Sequence, residues 1–167
     1  MRSLGETWLP SGGTALIVAL ATCAPTWAQC LIQKLTQNKV GDYFAYRASL
    51  SGKRLAVTCD SSGQNAVCVY ERFGSTWFQT ATIEPPVPDQ LFGMSLDLDG
   101  DRLVVGDPAA APSGSAYVFE WAPSGWVQAA KLKGYDAGAE DWFGRSVAID
   151  GDFIVVGAPE HKSPLYK

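Results

Sequence analysis

"DQLFGMSLDLDGDRLVVGDP", Asp89 to Pro108, is the stretch on which the fold turns. Phe92, Met94, Leu96 and Leu98 alternate with Gly93, Ser95 and Asp97, which is the period of a strand with one buried face. Asp99-Gly100-Asp101 interrupts the run, and Arg102 to Gly106 resumes it as "RLVVG". Asp-Gly between two apolar runs signals a hairpin, because Gly takes positive φ at no steric cost. The same pattern stands at "GDYFAYRASLSGKRLAVTCD" (Gly41 to Asp60) and at "EDWFGRSVAIDGDFIVVGAP" (Glu140 to Pro159). Phe44, Phe92 and Phe143 align at spacings of 48 and 51 residues, and Gly52, Gly100 and Gly151 follow each of them at the same offset. Repetition at such a period outranks any local reading.

The repeat continues downstream. "AVCVYERFGSTWFQTATI" (Ala66 to Ile83) parallels "SAYVFEWAPSGWVQAAKL" (Ser115 to Leu132), with Tyr70 matching Phe119 and Trp77 matching Trp126. Each is a second pair of strands across a turn. "LIQKL", Leu31 to Leu35, resembles Gln128 to Leu132 and reads as a last strand that opens the series. No stretch of ten or more residues after the N-terminal apolar run shows the 3.6-residue period of a helix with start and stop signals. Four strands per period of about 50 residues is the arithmetic of a β-propeller blade. The expected fold is therefore all-β, a partial propeller of four-stranded antiparallel blades, with repeats near 36–83, 84–132 and 133–167.

Composition agrees with a globular product: 47% of the 167 residues are hydrophobic and 18% charged. The formal charge of −4 and a scatter of basic residues, with only Lys53-Arg54 adjacent, exclude an electrostatic stripe for a nucleic-acid backbone. At the N-terminus "ALIVALATCA", Ala15 to Ala24, is too short to span a bilayer, which takes about 20 helical residues. Pro25 breaks the run, and Thr26 and Ala28 fit cleavage before Gln29. Residues 1–28 thus read as a secretory signal and 29–167 as the mature repeat region, secreted or at the cell surface with no transmembrane span. A buried strand or helix is the competing reading of the apolar run, and lipid attachment at Cys23 is a third.

Cysteine usage fits export. Cys59 and Cys68 flank "DSSGQNAV", a turn between two strands, so a hairpin brings them near each other. They are candidates for a disulfide, with two half-buried thiols as the alternative. One His and no Cys-x-x-Cys leave zinc unsupported.

Phe92-Gly93 with Val105-Gly106-Asp107-Pro108, and Phe143-Gly144 with Val156-Gly157-Ala158-Pro159, resemble the FG-GAP repeats of integrin α-subunit propellers, and more closely their bacterial form. The resemblance runs from about Leu31 to Pro159. The first copy departs from it, since Tyr43-Phe44-Ala45 lacks the Gly and Thr58-Cys59-Asp60 replaces Gly-Ala-Pro. The family implies a propeller, extracellular or cell-surface placement, and binding or adhesion rather than catalysis. A closed propeller takes at least four blades. About two and a half repeats therefore imply a fragment of a longer propeller, or self-association through open blade edges.

The resemblance also raises calcium, which some FG-GAP blades hold in Asp-x-Asp-x-Asp-Gly-x-x-Asp loops. Ca²⁺ takes six to eight oxygens. With Gly100 in the Gly slot, Asp99 and Asp97 fit two positions, but Ser95 and Leu103 occupy two others. Asp97, Asp99 and Asp101 are the calcium candidates, against a plain hairpin turn with solvent-facing aspartates. Nucleophilic catalysis lacks a base other than His161, which reads as a solvated loop residue, and Glu140-Asp141 reads as a solvated pair. Trp77, Trp121, Trp126, Trp142, Phe92 and Phe143 recur at blade-equivalent or neighbouring positions and are expected in inter-blade cores. The expected role is a non-catalytic module that binds a protein or glycan ligand through Gln37–Asp42, Pro85–Gln90 and Tyr135–Asp141. The alternatives are an accessory propeller of a secreted hydrolase and a truncated, non-functional product.

Overall fold

A computed structural model of the chain describes residues 15–18, 33–36, 44–88 and 91–161. These form twelve strands and no helix. Strand β1 (Ala15–Val18) pairs antiparallel with β2 (Gln33–Thr36). Strands β3 (Ala48–Ser51), β4 (Arg54–Ser61), β5 (Gln64–Phe73) and β6 (Thr76–Ile83) make one four-stranded antiparallel sheet in chain order. Strands β7 (Ser95–Asp99), β8 (Arg102–Asp107), β9 (Ser115–Ala122) and β10 (Gly125–Leu132) make a second sheet of the same order. Strands β11 (Ser146–Asp150) and β12 (Phe153–Gly157) make a two-stranded third. The sheets stack as blades, with β3 beside β7 and β7 beside β11.

The repeat is faithful to single residues. Gly52, Gly100 and Gly151 take φ of 57°, 56° and 52° at the first loop position of the β3–β4, β7–β8 and β11–β12 hairpins. The second loop residue is not at positive φ, so these are hairpins of the type II′ pattern, which puts Gly first. The loop is Gly-Lys or Gly-Asp, and the residue before the Gly, Ser51, Asp99 or Asp150, is the last of its strand. Thr80 in β6 and Ala129 in β10 are each an extra residue against the neighbouring strand, a β-bulge at the same place in both blades.

The central strands are buried on both faces, which explains continuous apolar runs such as Leu103-Val104-Val105. Leu103 and Val105 join Phe92, Leu96, Leu98, Tyr117 and Phe119 against Ala56, Val67 and Val69 of the first blade. Val104 turns the other way, with Ala116 and Val118, against Ile149, Val147, Ile154 and Val156 of the third. Each Val, Leu, Ile or Phe among them contributes about 1.5–3 kcal/mol on burial. Phe92 is fully enclosed and meets Tyr117 and Phe119 at ring distances of 5.9 and 6.4 Å.

The Phe-Gly motif owes its glycine to backbone geometry. Gly93 and Gly144 have φ of 80° and 96°. In the first blade Ala45 stands there, still at φ 57°, so the conformation outlives the residue that favours it. A hydroxyl of the preceding blade caps the Gly carbonyl: Thr58 Oγ1 donates to Gly93 O at 3.0 Å, and Ser95 Oγ to Gly144 O at 2.7 Å. Gly106, the counterpart of Thr58, lies so close to Gly144 that an added Cβ would sit 2.0 Å from its carbonyl oxygen.

Several expectations shift. Leu31–Leu35 is a strand over its described part, and Leu35 packs in the first blade's core as Leu132 packs against the third, but it belongs to a two-stranded sheet instead of a four-stranded blade. Its described part, β2, pairs with β1 and ties to β6 through Gln33, which exchanges bonds of 2.7 and 3.0 Å with the Trp77 backbone. Of the apolar N-terminal run, Ala15–Val18 is described, as a strand. Cys23, Ala28, Cys30 and the Gln37–Asp42 loop lie outside the described residues. Cys59 and Cys68 are joined as a disulfide between β4 and β5, diagonal partners in register and buried in the first blade's core.

Candidate functional site

The strands alternate in direction, so each blade has two rims. One rim holds two-residue turns: Gly52-Lys53, Gly74-Ser75, Gly100-Asp101, Pro123-Ser124 and Gly151-Asp152. The other holds the Ser62-Gly63 turn of the first blade and the long connections: β6 to β7, β8 to β9, β10 to β11 and residues 158–161 after β12. Loops of that length on a rigid scaffold are where binding groups concentrate.

The long-loop rim is best formed between the second and third blades. Phe143 N donates to Ser113 O at 2.8 Å and Glu140 N to Pro112 O at 3.2 Å, so the β10–β11 connection rests on the β8–β9 loop. Glu140 and Trp142 take φ of 68° and 59°, which turns Asp141 inward and its two neighbours outward. Asp141 is 4% exposed, Trp142 42%. Asp141 Oδ2 accepts from Gly138 N at 2.6 Å and sits 2.8 Å from His161 Nδ1. His161 Nε2 is 3.4 Å from Asp136 Oδ2. The Asp141 carboxylate, burial of the ring and the Asp136 charge act on the imidazole together; the carboxylates prevail and hold its pKa above the usual 6.5. Around these groups lies a cavity of about 210 Å³, walled by Gly134, Ala137, Phe143, Val156 and Ala158. A second hollow of about 220 Å³ is bordered by Ala139, Glu140, Trp142 and Glu160.

His161 and Asp141 are therefore not the solvated residues that the sequence suggests. A lone His beyond the last strand, and an Asp beside a Glu, carry no signal of a meeting 20 residues apart. Trp121 and Trp142 also depart from the expected core, being 36% and 42% exposed, whereas Trp77 and Phe92 are buried and Phe143 and Trp126 are half-buried against the core.

The calcium candidates sit on the short-turn rim and along the innermost strands, and their oxygens face neighbouring blades. Asp97 Oδ1 accepts from Ser49 Oγ of the first blade at 2.7 Å, and Asp97 Oδ2 accepts from Ile149 N of the third at 2.9 Å. Asp99 Oδ2 accepts from Gly151 N at 2.8 Å. Ser49 and Ser51 do the same for Leu98 N and Gly100 N at 3.1 and 3.0 Å. Asp101 pairs with Arg54, as Asp152 pairs with Arg102 at 3.2 Å. A side-chain acceptor in one blade thus takes a backbone N–H of the next at two positions, and an Arg takes an Asp at a third. The three aspartates do not converge, and no group of three metal-ligating side chains is found among the described residues.

Arg54 is the most elaborate of these ties. Its Nε donates to Glu71 at 2.7 Å, its Nη1 to Gly100 O at 3.2 Å, and its guanidinium lies 4.9 Å from the Trp121 ring. Burial opposes the charge, and the two carboxylates outweigh it, so the guanidinium is held above its ordinary value.

The comparison with protein families matches the FG-GAP repeat at residues 77–119 and 126–164. Each match starts at the outer-strand Trp, Trp77 or Trp126, and runs into the next blade, across the contacts that join the two. No curated protein matches the chain. FG-GAP repeats are typical of extracellular, propeller-like binding modules. No helix among the described residues is long and apolar enough to cross a membrane. With two matched repeats, all-β blades and ties that recur from one blade to the next, the chain belongs to the FG-GAP repeat family.

Proposed function

We propose that the chain is a non-catalytic binding module, outside the cell or at its surface, that takes a protein or glycan ligand on its long-loop rim. The asymmetry of the rims carries this reading. One rim is closed by two-residue turns, with Phe73 exposed beside one of them, while the other, past the Ser62-Gly63 turn of the first blade, carries long loops that expose Val87, Tyr135 and Trp142 among acidic groups and two hollows. Exposed aromatics beside hydrogen-bonding groups suit a sugar face or an apolar peptide side chain. The test is a glycan array together with surface-protein capture, followed by Y135A, W142A and E140A. Loss of the ligand in these variants, with binding kept in K53A on the opposite rim, is expected. The reverse pattern refutes the assignment.

The Asp141–His161 pair favours a second reading, that of a hydrolase part, because a buried carboxylate beside an imidazole is how a general base is oriented. The described wall of that cavity carries no Ser, Thr, Cys or Tyr, and a second carboxylate faces Nε2. Self-association is proposed as well. No described strand pairs with the outer edge of β12, and Phe153 and Val155 are 79% and 67% exposed. Sedimentation at rising concentration reads it directly.

A further inference from the structure

We propose that His161 is a pH-operated clasp that fastens the Gly134–Asp141 loop to the segment after β12. The loop brings two carboxylates to one ring, Asp141 at Nδ1 and Asp136 at Nε2, at 2.8 and 3.4 Å. A neutral imidazole carries one N–H and one lone pair. Whichever tautomer forms, a lone pair then faces a carboxylate oxygen. Only the imidazolium donates to both. The fastened state is the protonated one, and the chain from β12 is held to the loop through the ring and through Glu160 N, which donates to Asp141 O at 3.3 Å.

The charged groups bearing on the ring are Asp136 and Asp141 from the loop, with Glu160 next to it in the chain. The cavity walls contributed by β12 and the β11 approach, Phe143, Val156 and Ala158, carry no charge. Since the folded chain holds the proton more tightly than the unfolded one, the clasp is fully fastened below pH 6.5 and lets go as pH rises through the raised value. Deprotonation leaves the loop its backbone bonds to Pro112 and Ser113 but loosens the side of it that lines the cavity, so access to the cavity becomes a function of pH. The inference stands whether or not that rim binds a ligand.

His161 is the single histidine of the chain, so its ring signals are unambiguous. The experiment is an NMR titration of the full chain that follows the ring nitrogens together with amide-exchange protection at Ala137, Glu160 and His161. The expected result is a His161 pKa above 6.5 and a several-fold loss of protection at those amides through the same titration. D136N, which changes the 59%-exposed partner and spares the buried one, is expected to lower that pKa. H161Q is expected to give low, pH-independent protection. A pKa at or below 6.5 overturns the proposal. So does protection that stays flat while His161 titrates, or that still falls with pH in H161Q.

Discussion

Asp97 is the side chain that touches all three blades, and its removal tests the stacking directly. In D97A the Ile149 N–H loses its acceptor beside a residue only 7% exposed, where water is a poor substitute. A hydrogen bond to a charged group contributes about 1.5–3 kcal/mol, and a buried donor left unpaired costs about 1–3 kcal/mol. The Ser49 side of Asp97 is more open, so water replaces part of that loss. The expected total is about 2–3 kcal/mol, and at about 2–4 °C per kcal/mol for a chain of this size Tm falls by about 4–12 °C. S49A removes a neutral donor to Asp97 and one of the two acceptors of Leu98 N, the other being Asp97 Oδ1, and should cost about 1–1.5 kcal/mol. The two sites share a bond, so S49A/D97A should depart from additivity by about 0.5 kcal/mol or more. Urea unfolding followed by circular dichroism, with unchanged m, gives all three values. A D97A cost below about 0.5 kcal/mol, or strict additivity, would mean that the carboxylate is merely solvated and the stacking rests on apolar contact alone.

Three further outcomes can be checked on the same material. G144A, at φ 96° with an added Cβ 2.2 Å from Ser115 O, should cost about 3–5 kcal/mol, against about 1–2 for G100A, where φ is 56° and no atom lies within 4 Å; equal thermal shifts would refute the close-approach argument. The C59A/C68A chain should lose about 2–3 kcal/mol in denaturant, since the bond closes a short loop of sequence separation 9; an unchanged midpoint would mean that the cross-link does not restrict the unfolded chain. Millimolar Ca²⁺ should leave Tm unmoved, because the Asp97 and Asp99 carboxylates already serve backbone N–H groups; a rise with concentration would show a site that outcompetes them.

Much of the architecture was legible because it is written locally and three times over. The Gly of each hairpin, the alternating strand after each Phe and the outer-strand Trp are short-range signals, and their recurrence multiplies them. The roles of Asp97 and Asp99 were not legible in that way. A carboxylate next to a Gly turn reads the same whether it meets a cation, water or an amide about 50 residues away, and only the stacking decides. Trp121 and Trp126 show a similar limit. They lie face to edge at 5.7 Å beside Arg54, yet one is open to solvent and the other half-buried, because they occupy facing positions on strands with different neighbours. The His161 meeting with Asp136 and Asp141 depended on two positive-φ residues, Glu140 and Trp142, that no propensity assigns.

The amide-to-carboxylate ties run one way along the stack, with the acceptor in the earlier blade and the N–H in the later one. That direction makes the repeats non-interchangeable despite their likeness. The third unit carries Ala148 where the second has Asp97, and Phe153 where the others have Arg54 and Arg102. Transplanted into the middle position, the third hairpin would keep its fold and its glycine turn but offer nothing to the Ile149 amide behind it. Shuffling of units during gene duplication, or by an engineer, is therefore constrained less by the hydrophobic core, which is nearly generic, than by a few hydrophilic atoms that encode who precedes whom.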